Sequence, residues 1–300
     1  MTATALAGVA GTRPPGRRFR ALRRLAPLVP ALVLLVLFLA GPVLWSFYAA
    51  FTNETLTGTN SVSPRFVGPA NFVRMFGDAD FLNSFTLTFV FVVGSAVIGQ
   101  NTLGLMIALL QRGRSRFTRS TVNGVVIAAW VMPEVVAALC WFSFLAGEGT
   151  LNTLTGLGQE WLYTAPMVAV ILANVWRGTA FSMLVYSAAL SEVPADLVEA
   201  AAVDGAGMWQ RLWHITLPLI RRSIMANLML ITLQTLASFG LIYTLTGGGP
   251  GNASQTTPLY MYDKALRYGE IAYGSAMALV MLVIGALFSL LYLRLIKVED

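Results

Sequence analysis

The chain has 300 residues, of which 56% are hydrophobic and 11% charged. A soluble domain carries roughly 25% charged residues, so this composition belongs to a protein that buries its apolar surface in lipid. The net charge of +6 does not point to nucleic acid, because the Lys and Arg residues are distributed among polar segments instead of gathering on one face.

Residues 1–24 are rich in Ala, Gly, Pro and Arg without apolar periodicity, which predicts a mobile arm ahead of a transmembrane domain over 25–300. A membrane-crossing helix needs about 20 mostly apolar residues. Six segments qualify, at 27–50, 82–110, 122–146, 164–190, 224–245 and 275–296. The first apolar run, from Leu25 to Phe51, exceeds the roughly 7 to 15 residues of a signal-peptide core and reads as an anchor that is retained. After it, Phe72, Val73 and Phe76 sit at helical spacing, as suits a short helix lying in the membrane interface. In the second span Gly94, Gly99 and Gly104 recur at five-residue intervals beside Gln100 and Asn101. Small and amide residues of this kind favour helix contact over lipid. The third span holds the only cysteine, Cys140, which excludes an internal disulfide and is expected as a buried, inert thiol.

Orientation follows from the cations, which are retained on the cytoplasmic side. With the N-terminus inside, fifteen of the twenty Lys and Arg fall in cytoplasmic segments, including Arg112, Arg114, Arg116 and Arg119 after the second span. Four fall outside, at Arg65, Arg74, Lys264 and Arg267, and Arg177 lies within a span. Both termini and the segment 191–222 are therefore expected in the cytoplasm, with external loops at 52–80, 147–163 and 246–274.

Two ionisable residues, Glu134 and Arg177, fall within the third and fourth spans. A charge at a helix centre costs about 2.5 to 3.5 kcal/mol on insertion scales, so each must face protein or water. They pair with one another, or else each pairs with backbone or with a partner subunit. Asn174, Tyr186, Gln234, Ser238 and Tyr243 are the polar and aromatic groups in spans four and five that suit a path for a polar solute, supplying hydrogen bonds and ring faces. Helix packing uses the same residue types.

The segment 191–222 is a polar island between two membrane-length runs. Pro194 suits a helix first turn, and a helix from there to Val203 would bring Leu197, Ala200, Ala201 and Asp204 to one face, with Glu199 beside it. Gly205 and Gly207 read as a turn needing positive φ, after which a second helix begins near Met208 and ends before Pro218. On these residues alone the island could be an ordinary interfacial amphipathic helix. The pattern Glu199-Ala200-Ala201, Gly205 and Ile215 through Leu217-Pro218, with Asp204 and Ala206 beside the glycine, resembles the EAA loop of bacterial ABC import permeases. The resemblance implies a type I importer permease fold, all α with six transmembrane helices. It also implies a cytoplasmic loop that docks in a cleft of a separate ATPase.

The run Gly247-Gly248-Gly249-Pro250 is no phosphate loop, since no Gly-Lys-Ser/Thr ending follows. It is similar to the Thr-Gly-Gly-Gly-Pro signature of sugar permeases of the maltose-transporter type, although a plain turn would use the same glycines. In that branch external loops meet the substrate-binding protein, and Tyr260 and Tyr262 suit such a surface. No enzyme constellation is legible, because His214 is the only histidine and a triad or multi-histidine metal site lacks members. The resemblance therefore implies a sugar-import subunit in a bacterial cell membrane. Its partners are an ATPase dimer that holds ATP and magnesium, a second permease and an extracytoplasmic binding protein. The alternatives are cargo such as glycerol 3-phosphate or a polyol, or an ion-coupled carrier.

Overall fold

The structure, a computed structural model, describes residues 28–297. The expected arm at 1–24 lies outside the described residues. No strand forms among the described residues, where a single bridge joins Thr52 to Phe66. The chain divides into two units after Tyr48.

The first unit is, where described, a single apolar helix, α1 (Val29–Ala50), which closes two residues into the second unit. Its large apolar side chains over 29–48 are exposed, as for Phe38 and Leu39, which is the surface of a helix solvated by lipid, whereas Ala49 and Ala50 at its end are fully buried. One turn, Val36–Ala40, widens to a π-helix immediately ahead of Pro42. Proline lacks an N–H and presses on the carbonyl four residues back, and a widened turn moves that carbonyl away.

The second unit contains α2 (Ala70–Gly77), α3 (Ala79–Gln111), α4 (Arg116–Val131), α5 (Glu134–Leu145), α6 (Thr150–Thr155) and α7 (Pro166–Ser191). It continues with α8 (Ala195–Val203), α9 (Met208–Leu219), α10 (Arg221–Leu236), α11 (Gly240–Leu245), α12 (Thr257–Tyr262) and α13 (Ile271–Lys297). Among the described residues five helical segments are long and apolar enough to cross a membrane, with α5 and α6 counted together over Glu134–Thr155, and six if α9 and α10, bent by 69°, form one broken span.

The core is built on α7 against α3. Ala173, Ala180 and Met183 of α7 are fully buried, and the expected contact role of the α3 glycines is visible as close backbone approach. A Cβ on Gly104 would lie 2.5 Å from Ser182 Cβ and 2.9 Å from the Met183 nitrogen. One on Gly99 would overlap Val175, and one on Gly178 of α7 would overlap the Gln100 side chain.

The expected third and fifth spans are not continuous. The third breaks at Met132-Pro133, where Met132 turns to ψ 129° ahead of the proline, because proline drives the preceding residue out of the helical region. The fifth ends at Leu236 and resumes at Gly240. The second helix of the island also runs past Pro218 to Leu219, again through a π turn, Leu212–Thr216. Cys140 is exposed, not buried. The inward face of α5 is Ala137, Ala138 and Leu145, and Cys140 falls on its outward side.

At the other end of α3, the Asp78 carboxylate accepts the Asp80 and Phe81 N–H groups and caps the helix. Its second oxygen accepts the hydroxyls of Tyr260 at 2.6 Å and Tyr273 at 2.8 Å, tying α12 and α13 to the same point. Arg74 of α2 pairs with Glu270 at 2.9 Å and lies over the Tyr273 ring.

Candidate functional site

The island 191–222 folds as helix, turn, helix. Pro194 is the N-cap of α8, and Asp196 sits in the first turn, where the helix dipole favours a carboxylate. The helix closes in a paired-bond cap, the Gly205 N–H donating to Ala202 O at 3.1 Å and the Ala206 N–H to Ala201 O at 2.9 Å. This Schellman arrangement requires a left-handed residue at its corner, and Gly205 supplies φ +83°. Gly207 is not left-handed. It is extended at φ −66°, ψ 166°, and its N–H is capped by the Gln210 side chain at 2.8 Å.

The residues that carry the EAA pattern divide by burial. Thr216 is buried, and Ile215 and Leu217 are half-buried. Leu217 packs with Val198 and Ile224 on the cluster formed by Ala108, Tyr186, Leu190, Val193 and Ile220, which anchors the island on α3, α7 and α10. Glu199, Ala200, Asp204, Gly205 and Pro218 are exposed, with Ala201 and Ala206 half-buried. Between α8, α9 and the end of α3 lies a cleft of about 380 Å³ lined by Glu199, Arg112, Arg211 and Met208. Sequence reasoning passed over the apolar residues around this turn. Val203 is 88% exposed, Met208 71% and Trp209 69%. Their signal was large apolar side chains inside an otherwise polar loop, the mark of a surface that meets another protein.

The breaks in the third and fifth spans face each other across Glu134. This residue is the first of α5, so the N-terminal dipole favours its charge. Its Oε1 accepts the Ser238 hydroxyl at 3.0 Å and lies 3.7 Å from Arg177 Nη1. Arg177 Nε also donates to the Met132 carbonyl at 3.4 Å, an acceptor set free by the break. The two intramembrane charges are thus paired with each other, and Arg177 is paired with backbone as well. Of the five sequence candidates for a path, Asn174, Gln234 and Ser238 gather with Gln100 and Arg177 around a cavity of about 30 Å³. That is room for a water, not for a sugar ring. Asn174 spends its amide on Ser95 at 2.8 Å. Tyr186 lies elsewhere, fully buried, its hydroxyl donating to Asn101 and accepting from Asn227. Asn227, absent from the sequence candidates, centres that cluster and also reaches Ser182 at 3.0 Å. Tyr243 stacks with Phe239 and meets Tyr262 edge-on.

In the 246–274 segment the glycines form a fixed turn, with Gly247, Gly248 and Gly249 all at positive φ and Gly248 O accepting the Ser254 N–H at 2.7 Å. Gly247 is exposed, Pro250 and Tyr262 are half-buried, and a Cβ on Gly249 would lie 3.0 Å from the Pro166 ring. Tyr260 is not a surface aromatic. It is buried, and its hydroxyl is held by Asp78. Burial alone would raise the Asp78 carboxyl, but the two tyrosine hydroxyls and two backbone N–H groups outweigh it and hold the group below the usual aspartate range. Burial and the facing Asp78 charge push the Tyr260 hydroxyl far up. Among the described residues no group of three or more His, Cys, Asp or Glu could hold a metal ion.

An all-helical bundle with several membrane-length helices, charges paired at helix breaks and an open apolar turn outside the spans defines a multi-pass membrane protein. Residues 100–297 match the family of binding-protein-dependent transport system inner membrane components, and the chain belongs to that family. It is 33% identical over 281 residues to the sulfoquinovosyl glycerol transport system permease protein SmoG of Agrobacterium fabrum, covering 91% of this chain and 90% of that one. To the trehalose/maltose transport system permease protein MalF of Thermococcus litoralis it is 31% identical, covering 89% and 91%. In fold it is similar to a chain of a bacterial ABC transporter involved in import of the acidic polysaccharide alginate. The TM-score is 0.81 at 21% identity, over 95% of this chain and 100% of that one. The protein is thus a permease subunit of an ABC importer in the inner membrane.

Proposed function

We propose that this chain is one of two membrane subunits of an ATP-driven importer of carbohydrate, and that the island 191–222 is where it receives the force. The observation that carries the reading is the open turn of α8 and α9. A left-handed glycine fixes it, Ile215 and Leu217 anchor it, and Val203, Met208 and Trp209 are left exposed among the described residues. Glu199, Ala200, Ala201, Asp204, Gly205 and Ala206 would enter the cleft of a separate ATPase, which holds ATP and magnesium; this chain supplies no hydrolytic site of its own. The termini and the island lie in the cytoplasm by the distribution of cations. Closure of the ATPase dimer draws the island toward its counterpart on a second permease, a different chain. The cavity between them then turns outward toward the binding protein, which meets the loop around Gly247, Pro250 and Tyr262. Relatives named for trehalose/maltose and for starch degradation products support a sugar as cargo.

Affinity purification of the tagged chain from its native membranes, with mass spectrometry and an ATPase assay across candidate sugars, tests this. Recovery of an ATPase, a second permease and a binding protein, with one sugar raising turnover, is the expected result. A stable chain recovered alone would refute it.

A further inference from the structure

We propose that a basic cavity at the shared end of α3 and α7 is a binding site for a phosphate ester, the headgroup of an anionic phospholipid. The cavity, about 320 Å³, is lined by Arg112, Arg114 and Arg119 together with Gln111, Ser187 and Ser191. Among the described residues none of the three guanidinium groups has a hydrogen bond or an ion pair. Three like charges around one cavity repel each other, and an anion between them reverses the sign of that interaction.

Two further residues, Gln111 and Ser187, line the same cavity. Gln111 is 7% exposed, and both its Oε1 and the Ser187 Oγ are buried without a hydrogen-bond partner. Buried polar atoms are nearly always satisfied, so such an orphan calls for an unseen ligand. Water would satisfy the two oxygens but leave the arginines uncompensated. A phosphodiester answers both needs, since guanidinium forks match its oxygens and the Ser187 hydroxyl can donate to it. Gln111 Oε1 needs a donor, which a glycerol hydroxyl on the far side of the phosphate provides.

The location selects lipid over a soluble phosphate. Two membrane-spanning helices end here, at Gln111 and Ser191, so the cavity lies at the edge of the bilayer, where basic pockets between helices take headgroups. The next helix begins Arg116-Phe117, and Phe117 is 82% exposed, an apolar ring beside cations as in interfacial helices. The site needs only that the chain spans a membrane and does not depend on what the transporter carries.

The test is native mass spectrometry of the purified transporter in mixed micelles of phosphatidylcholine and phosphatidylglycerol. Arg119→Gln should lower retained phosphatidylglycerol about tenfold, the worth of one hydrogen-bonded charge. Ser187→Ala should lower it less, and Arg116→Gln, which removes one charge outside the cavity, should leave it unchanged. Equal losses for Arg116→Gln and Arg119→Gln would mean diffuse attraction and overturn the site. An excess of inorganic phosphate should not displace the lipid. Displacement, with phosphate alone stabilising the protein in pure phosphatidylcholine, would overturn the lipid assignment in favour of a soluble anion. Unchanged lipid in Arg119→Gln together with loss of the copurifying ATPase would overturn the proposal in favour of a protein contact.

Discussion

The α3–α7 contact and the α8–α9 turn use small residues for opposite ends. At Gly104 the constraint is space, because an added Cβ would strike Ser182 and the Met183 backbone. At Gly205 space is free, with nothing within 4 Å of a built Cβ, and the constraint is the left-handed backbone at φ +83°. One region is complete within the chain and its small residues close an interface. The other is complete only in its backbone, and its small residues hold a surface open. The same composition therefore marks a finished contact in one place and an unfinished one in the other.

The contrast can be broken most severely at Gly104. Gly104→Leu should cost about 3 kcal/mol or more by overpacking against backbone that cannot retreat, seen as loss of folded protein or a large drop in Tm in detergent. An unchanged Tm would mean that α3 and α7 do not meet there. Next in size is the Asn101, Tyr186 and Asn227 cluster, where Tyr186→Phe should cost about 1 kcal/mol, with coupling to Asn101→Ala in a double-mutant cycle. Smaller still is the Asp78 clamp. Its carboxyl is lowered in the folded protein, so its contribution is present above the ordinary aspartate value of about 3.9 and is lost as pH falls through the lower folded value. Unfolding measured across acid pH should show that loss in the parent and a flat response in Asp78→Asn. The smallest stability effect, within about 0.5 kcal/mol, belongs to Val203→Ser and Trp209→Ser, which should nonetheless shed the copurifying ATPase. A large Tm change there, with the complex retained, would erase the distinction between the two regions.

The α3 glycines could be read from sequence because their spacing and the span they occupy are both local. The helix, turn and helix of the island were legible for the same reason, down to the corner at Gly205, although Gly207 is extended where a positive φ was expected. The helix breaks were not. Hydropathy counts apolar residues and is blind to backbone hydrogen bonding, so a run that bends at Pro133 or Ser238 reads the same as a straight one. Pro133 was a visible signal, whereas Ser238 breaks beside a carboxylate 104 residues away. Tyr260 was misread for a similar reason. Nothing near it in the chain announces Asp78, 182 residues distant, and an aromatic outside the spans looks alike whether it faces a partner or a buried acid. The exposed apolar residues at 203, 208 and 209 were overlooked because they differ from core residues only in having nothing to cover them.

The back-to-back breaks at Met132-Pro133 and Ala237–Phe239 give the bundle the build of a jointed frame. Helix α7 is the unbroken post, meeting α4 and α5 on one pair of breaks' two sides and α10 and α11 likewise. Flexure is cheapest where helical hydrogen bonds are already missing, and here those places lie side by side, joined by the Glu134 carboxylate and its Ser238 partner. Helices α5 and α11, packed on each other beyond the joint, share a corner at which the Glu134 carboxylate, Ser238 and Arg177 meet.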